Sequence, residues 1–157
     1  MKEKIKYYLK EIVLFIVVMT IFANVISFYK SRDLTKQPLD INYQFTYNKP
    51  ILIHFWATWC PTCKLEAQNI ERVSKDYEVL TIAVNSGSTK DIKDYMKERN
   101  LTFRFINDKD AYLAKKFNIS AYPTTFIYDK NKKLVFSEVG YTSTLGLYIR
   151  MLLSDKI

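Results

Sequence analysis

Two cysteines occur in the 157 residues, and they form a single unit, Cys60-Pro61-Thr62-Cys63. The apolar run Ile51-Leu52-Ile53-His54-Phe55-Trp56 leads into it, and an amphipathic stretch from Lys64 to Tyr77 leads out. A strand that ends in a thiol pair, which then opens a helix, is the layout of a redox dithiol. A helix N-terminus carries partial positive charge and unpaired N–H groups, which favour thiolate over thiol. Cys60 fits the N-cap. Pro61 fits the first helical position, where its missing N–H costs nothing. Cys63 lies one turn on, beneath Cys60. Cys60 is therefore the expected attacking thiol, and Cys63 the resolving thiol that closes the disulfide. A zinc site would need two further Cys or His ligands, and the chain holds one His. A purely structural disulfide over two intervening residues would constrain the unfolded chain very little.

The length admits one ordinary domain plus a small segment, and 48% apolar residues suffice for a core. The net charge is +8, of which residues 1–11 supply +2, four Lys against Glu3 and Glu11. The remainder is diffuse, and Lys115-Lys116 and Lys132-Lys133 are the longest basic clusters. This pattern argues against nucleic acid and allows a mild preference for anionic membrane surfaces or acidic partners.

Four segments follow. Residues 1–11 are a basic tail, 12–29 an expected transmembrane signal anchor, 30–46 a linker and 47–157 the main domain. Ile12 to Tyr29 is 18 residues without a charge, at the lower limit for a spanning helix. A cleaved signal peptide would want a shorter apolar stretch and an A-x-A-like site, and Ala23-Asn24-Val25 ends on the wrong residue. A soluble core helix would want an amphipathic period. The preceding lysines orient the tail to the cytoplasm by the positive-inside rule. The expected location is a single-pass inner (cytoplasmic) membrane protein with its main domain on the extracytoplasmic, periplasmic side. Disulfides persist there.

In the main domain, Leu39 to Phe45 alternates apolar and polar residues and suggests a short edge strand. Strands are expected at 51–56, 78–85, 102–106, 124–129 and 133–138. Helices are expected at 64–77, 90–99, 111–117 and 143–153. Alternating strands and helices, closed by a hairpin and helix, give a three-layer α/β/α sandwich with a mixed central sheet.

Phe55-Trp56-Ala57-Thr58-Trp59-Cys60 with Cys63, then Tyr122-Pro123-Thr124, then the hairpin with Gly140, together resemble thioredoxin-fold proteins over roughly residues 47–153. With the N-terminal apolar segment, the pattern is similar to the TlpA-like, membrane-anchored thiol–disulfide oxidoreductases. That branch includes the reductases of cytochrome c maturation and the suppressor-of-copper-sensitivity D-type proteins. Val84-Asn85-Ser86-Gly87, Asn107-Asp108 and Gly140-Tyr141-Thr142-Ser143 look closest to the latter.

The resemblance implies an enzyme, a protein disulfide oxidoreductase that needs no cofactor beyond its Cys60–Cys63 disulfide. Its partners would be substrate proteins with cysteines or disulfides and a membrane electron-transfer partner. It implies a cis Pro123, with Trp59, Tyr122, Pro123 and Thr124 as the substrate-docking surface; Tyr122 would offer its backbone to an extended peptide. It also implies a proton-handling role for Glu66, three residues after Cys63. His54 stands where thioredoxins carry a buried Asp, and is either a proton shuttle or a satisfied core residue. Gln68 replaces a kinking proline, so a weaker kink is expected. Thr62 adds an N–H and a hydroxyl near Cys60, which points to a more oxidising disulfide than thioredoxin's. Two alternatives stand beside this reading: an apocytochrome c reductase, and a copper-binding thiol protein without redox turnover, for which Met96 and Met151 lie far from the motif.

Overall fold

The computed structural model describes residues 2–31, 39, 41, 43–45 and 48–156. In chain order the elements are α1 (Lys2–Ser31), β1 (Ile51–Trp56), α2 (Pro61–Asp76), β2 (Glu78–Val84), α3 (Thr89–Glu98), β3 (Arg104–Asp108), α4 (Tyr112–Lys116), β4 (Thr124–Tyr128), β5 (Leu134–Val139) and α5 (Thr144–Lys156).

The strands form one mixed sheet in the order β3-β2-β1-β4-β5. β1 runs parallel to β2 and antiparallel to β4. β3 extends the parallel side and β5 the antiparallel side. All six residues of β1 are buried, as a central strand covered on both faces requires. Leu52 and Trp56 share a core with Ile70 and Val73 of α2, Ile92 and Met96 of α3, and Leu147 and Met151 of α5. Ile51, Ile53 and Phe55 face the other way, against Ala114 of α4 and Phe117, the residue that caps it. The expected three-layer sandwich is present, and β1 ends at the pole where the dithiol begins.

Several boundaries differ from the sequence expectation, each for a local reason. β3 starts at Arg104 rather than Thr102, because the Glu71 carboxylate takes the N–H groups of Thr102 and Phe103. α4 starts late, after Ala111 in a left-handed conformation, with its first N–H groups bonded to the Asp108 carboxylate. The expected edge strand at 39–45 does not join the sheet among the described residues; Leu39, Ile41, Tyr43 and Phe45 instead pack as partly buried side chains beside the α4 core. Their alternation reflects one buried side, without a ladder. α2 continues unbroken through Gln68, whose amide donates to the Arg99 carbonyl at 2.8 Å.

Most of the linker, residues 32–38, lies outside the described residues. Within α1, side chains are described without interruption only from Tyr8 to Met19, all exposed. Among the described residues no helix is long and apolar enough to cross a membrane.

Candidate functional site

Cys60 caps α2, and Pro61 occupies the first helical position. The two cysteines form a disulfide with Cα atoms 5.3 Å apart. The Cys63 N–H donates to Cys60 Sγ at 3.2 Å. That donor and the helix N-terminus stabilise negative charge on Cys60 once the disulfide opens. Both cysteines are buried, Cys63 at 1% exposure and Cys60 at 5%.

The Tyr122–Pro123 peptide bond is cis. The Tyr122 carbonyl oxygen lies 3.7 Å from Cys60 Sγ. A disulfide sulfur has no proton to give, so this contact becomes a hydrogen bond only in the thiol form. The Pro123 carbonyl accepts from the Gly140 N–H at 2.8 Å, and the Thr124 hydroxyl donates to the Ala121 carbonyl at 2.8 Å. Both bonds tie the proline turn to its surroundings. Trp59, next to Cys60 in the chain, is 56% exposed. Its Nε1–H donates to the Asn85 carbonyl, and its ring meets Tyr122 edge-on at 5.8 Å. Trp59 and Tyr122 therefore share one surface, with Cys60, Pro123 and Thr124 buried beside them.

Glu66 is 0% exposed. Its Oε1 accepts the Thr142 N–H, while Oε2 is buried without a partner. Burial pushes its carboxyl up to about 8, against the pull of the Thr142 N–H and with added repulsion from Glu138. A buried carboxyl of that strength, one turn past Cys63, is suited to exchange a proton near neutrality. His54 is also buried, with Nδ1 2.9 Å from the Thr125 hydroxyl. Burial pulls its imidazole down to about 3, so it stays neutral at physiological pH. That environment favours its reading as a satisfied core residue.

Several supporting residues were not singled out from the sequence. The Ser86 hydroxyl accepts the Thr58 N–H and donates to the Val84 carbonyl, bracing the loop before Cys60. Asn69 donates to the Tyr141 hydroxyl and the Thr142 carbonyl and accepts from Thr144, binding the β5–α5 loop to α2. One signal for them existed: Glu66, Asn69 and Glu71 place polar groups on or beside the buried stripe of α2 that carries Ile70 and Val73. Met96 and Met151 both lie in the core. Among the described residues no group of three or more His, Cys, Asp or Glu gathers where a metal ion could be held.

Residues 30–137 match the AhpC/TSA family. A thioredoxin-like protein of Haemophilus influenzae is 32% identical over 109 residues, covering 69% of this chain and 65% of its own length. Thiol-disulfide oxidoreductase ResA of Geobacillus thermodenitrificans is 30% identical over 90 residues, covering 55% of this chain and 52% of its own. The chain thus spans between half and two thirds of the length of these curated relatives. The crystal structure of StoA from Bacillus subtilis superimposes with a TM-score of 0.59 at 21% identity, over 71% of this chain and 90% of that one. The shared fold is the thioredoxin fold.

Proposed function

The chain belongs to the AhpC/TSA family, thioredoxin-like in fold, and from that premise we propose that it is a membrane-tethered thiol–disulfide oxidoreductase acting on envelope proteins. The observation that carries the chemistry is the setting of Cys60: its sulfur takes the Cys63 N–H at a helix N-terminus and faces the Tyr122 carbonyl beside an exposed Trp59. Relatives that bear the name thiol-disulfide oxidoreductase support the same reading.

The exchange proceeds in two displacements. In the reducing direction, Cys60 thiolate attacks a substrate disulfide; a Cys60–substrate bond forms and one substrate thiolate leaves. Cys63 then loses its proton to Glu66 and attacks Cys60 Sγ. The Cys60–Cys63 bond forms and the second substrate thiolate leaves, so the substrate gains two electrons and the dithiol is oxidised. The oxidising direction is the reverse. Trp59 and Tyr122 flank the sulfur, and the proline turn offers backbone to an extended peptide.

Anchoring through residues 12–29, with the dithiol outside the cytoplasm, rests on the uncharged apolar run, the four lysines before it and the exposed apolar side chains of α1. Retention in the membrane pellet after alkaline carbonate extraction, with the domain open to external protease in spheroplasts, is the expected result.

The chemistry is tested by trapping. Cys63→Ser should accumulate mixed disulfides through Cys60, and Cys60→Ser should accumulate none. The opposite pattern would reverse the two roles, and no adduct with either variant would sink the enzyme reading.

A further inference from the structure

A buried polar row crosses the sheet face that α2 and α5 cover. His54 on β1 pairs with Thr125 on β4, and Thr125 pairs with Glu138 on β5. Directly paired residues point to the same face. On that face Leu52 and Trp56 flank His54, and both belong to the core that includes Cys63, Leu147 and Met151.

The outer end of the row is an ion pair. Glu138 Oε1 accepts from Arg150 Nε at 2.9 Å and from its Nη2 at 2.8 Å. The side chains are 19% and 24% exposed, so water screens the pair only in part. The guanidinium is held from a third side, since Nη1 donates to the Gly146 carbonyl at 3.0 Å. Gly146 is one of only three glycines in the chain and sits inside α5, where glycine costs helix stability. Its lack of a side chain has a use here. A Cβ at that position would come within 3.0 Å of Arg150 Nη1 and 3.2 Å of Thr142 Cγ2.

Thr142 closes the connection, because its N–H donates to Glu66. Glu66, Thr142, Gly146, Arg150 and Glu138 thus form one contiguous cluster from the buried carboxyl to a half-buried ion pair. The titratable and charged groups on the elements packed over this face include the neutral His54 on β1, Glu138 on β5, Arg150 and Tyr148 on α5, Glu71 on α2 with Tyr77 at its end, and Tyr95 on α3, the last against Trp56. Cys63 lies one turn back on α2. Of these groups, Glu138 is the one whose charge acts on Glu66.

We propose that the Glu138–Arg150 pair is a positioning element for the Glu66 proton: the Glu138 carboxylate adds its repulsion to the burial that already favours the acid form, and Arg150 sets how much of that charge Glu66 feels. The only chemical step involved is proton transfer, from Cys63 S–H to the Glu66 carboxylate and back. The proposal rests on the reading of Glu66 as that proton carrier.

The two partners have opposite signs, and this makes the proposal testable. The full chain, in detergent micelles, is labelled with 13C at glutamate carboxyls, and the Glu66 resonance is assigned through Glu66→Gln. Glu138→Gln leaves a cation nearby and should lower the Glu66 midpoint by about one pH unit, a tenfold change in its ionised fraction. Arg150→Met removes the guanidinium from Glu138 and should raise it by a similar amount. Arg150→Lys keeps the charge and should hold the midpoint near its original value, which covers the case in which the methionine variant fails to fold. A merely structural pair would lower thermal stability in both neutralising variants and leave the midpoint where it was. That result, or shifts in the same direction, overturns the proposal. Should the opposite shifts appear while Glu66→Gln leaves the pH profile of mixed-disulfide resolution unchanged, the coupling stands and the proton-carrier reading of Glu66 falls.

Discussion

The backbone N–H of Thr142 donates to Glu66 Oε1 at 3.2 Å, across 76 residues of sequence. This bond fixes one oxygen of a fully buried carboxyl and leaves the other without a partner. It also draws the loop between β5 and α5 onto the helix that carries both cysteines.

Glu66 should make stability fall as pH rises. Its carboxyl is raised from 4.5 to about 8 in the folded chain. Between those values the folded state holds a proton that the unfolded state has released, so stability declines across that window and levels off above it. Glu66→Gln keeps the acceptor for Thr142 and removes the titration. Urea unfolding at pH 5 and pH 9 should show a smaller pH dependence in the variant than in the parent chain.

His54 makes the opposite contribution. Burial lowers its imidazole from 6.5 to about 3, so the unfolded chain binds the extra proton between these values. Stability from this group is complete above the unfolded value and is lost as pH falls toward the folded one. Thr125→Val removes the hydroxyl that meets Nδ1, and should cost about 1–3 kcal/mol by leaving a buried ring nitrogen unpaired. Equilibrium urea unfolding at pH 7 reads that cost, and a fully stable variant would show that the bond carries no weight.

Glu71 should matter for folding and leave thiol chemistry alone. Its carboxylate collects the N–H groups of Thr102 and Phe103, the Thr102 hydroxyl and the Lys75 ammonium. Desolvation works against the charge, but these partners outweigh it and hold the carboxyl below its usual range. Glu71→Ala should lower stability by about 2–4 kcal/mol, since it strands two backbone donors. The loss should shrink as the pH falls low enough to protonate Glu71 in the parent chain. The rate of mixed-disulfide formation at pH 7 should stay within about twofold, because nothing that touches the sulfurs has changed.

Trp59 should act on exchange more than on stability. More than half exposed, it anchors itself through the Asn85 carbonyl and packs edge-on against Tyr122. Trp59→Ala should cost little in thermal unfolding. It should slow attack on a disulfide-containing peptide about tenfold, equivalent to about 1.4 kcal/mol of lost stabilisation in the transition state. An unchanged rate would remove Trp59 from the docking surface.

What the sequence alone determined is local. The strand before Cys60 is legible because six apolar residues must be covered on both faces, and the helix after it because a cap, a proline and a 3.6-residue stripe occur in order. The capping box of α3, Ser88 with Asp91, is likewise contained within four residues. The tertiary structure decided everything that depends on distant partners. Thr102 and Phe103 do not enter β3 because Glu71, about thirty residues earlier, takes their N–H groups. Alternation at Leu39–Phe45 cannot say whether a partly buried segment finds a ladder. Glu66 and His54 were visible as residue types, but their proton affinities depend on burial and, for Glu66, on Thr142 and Glu138. A side chain's charge state follows the water and dipoles around it, and only the packed chain assembles those.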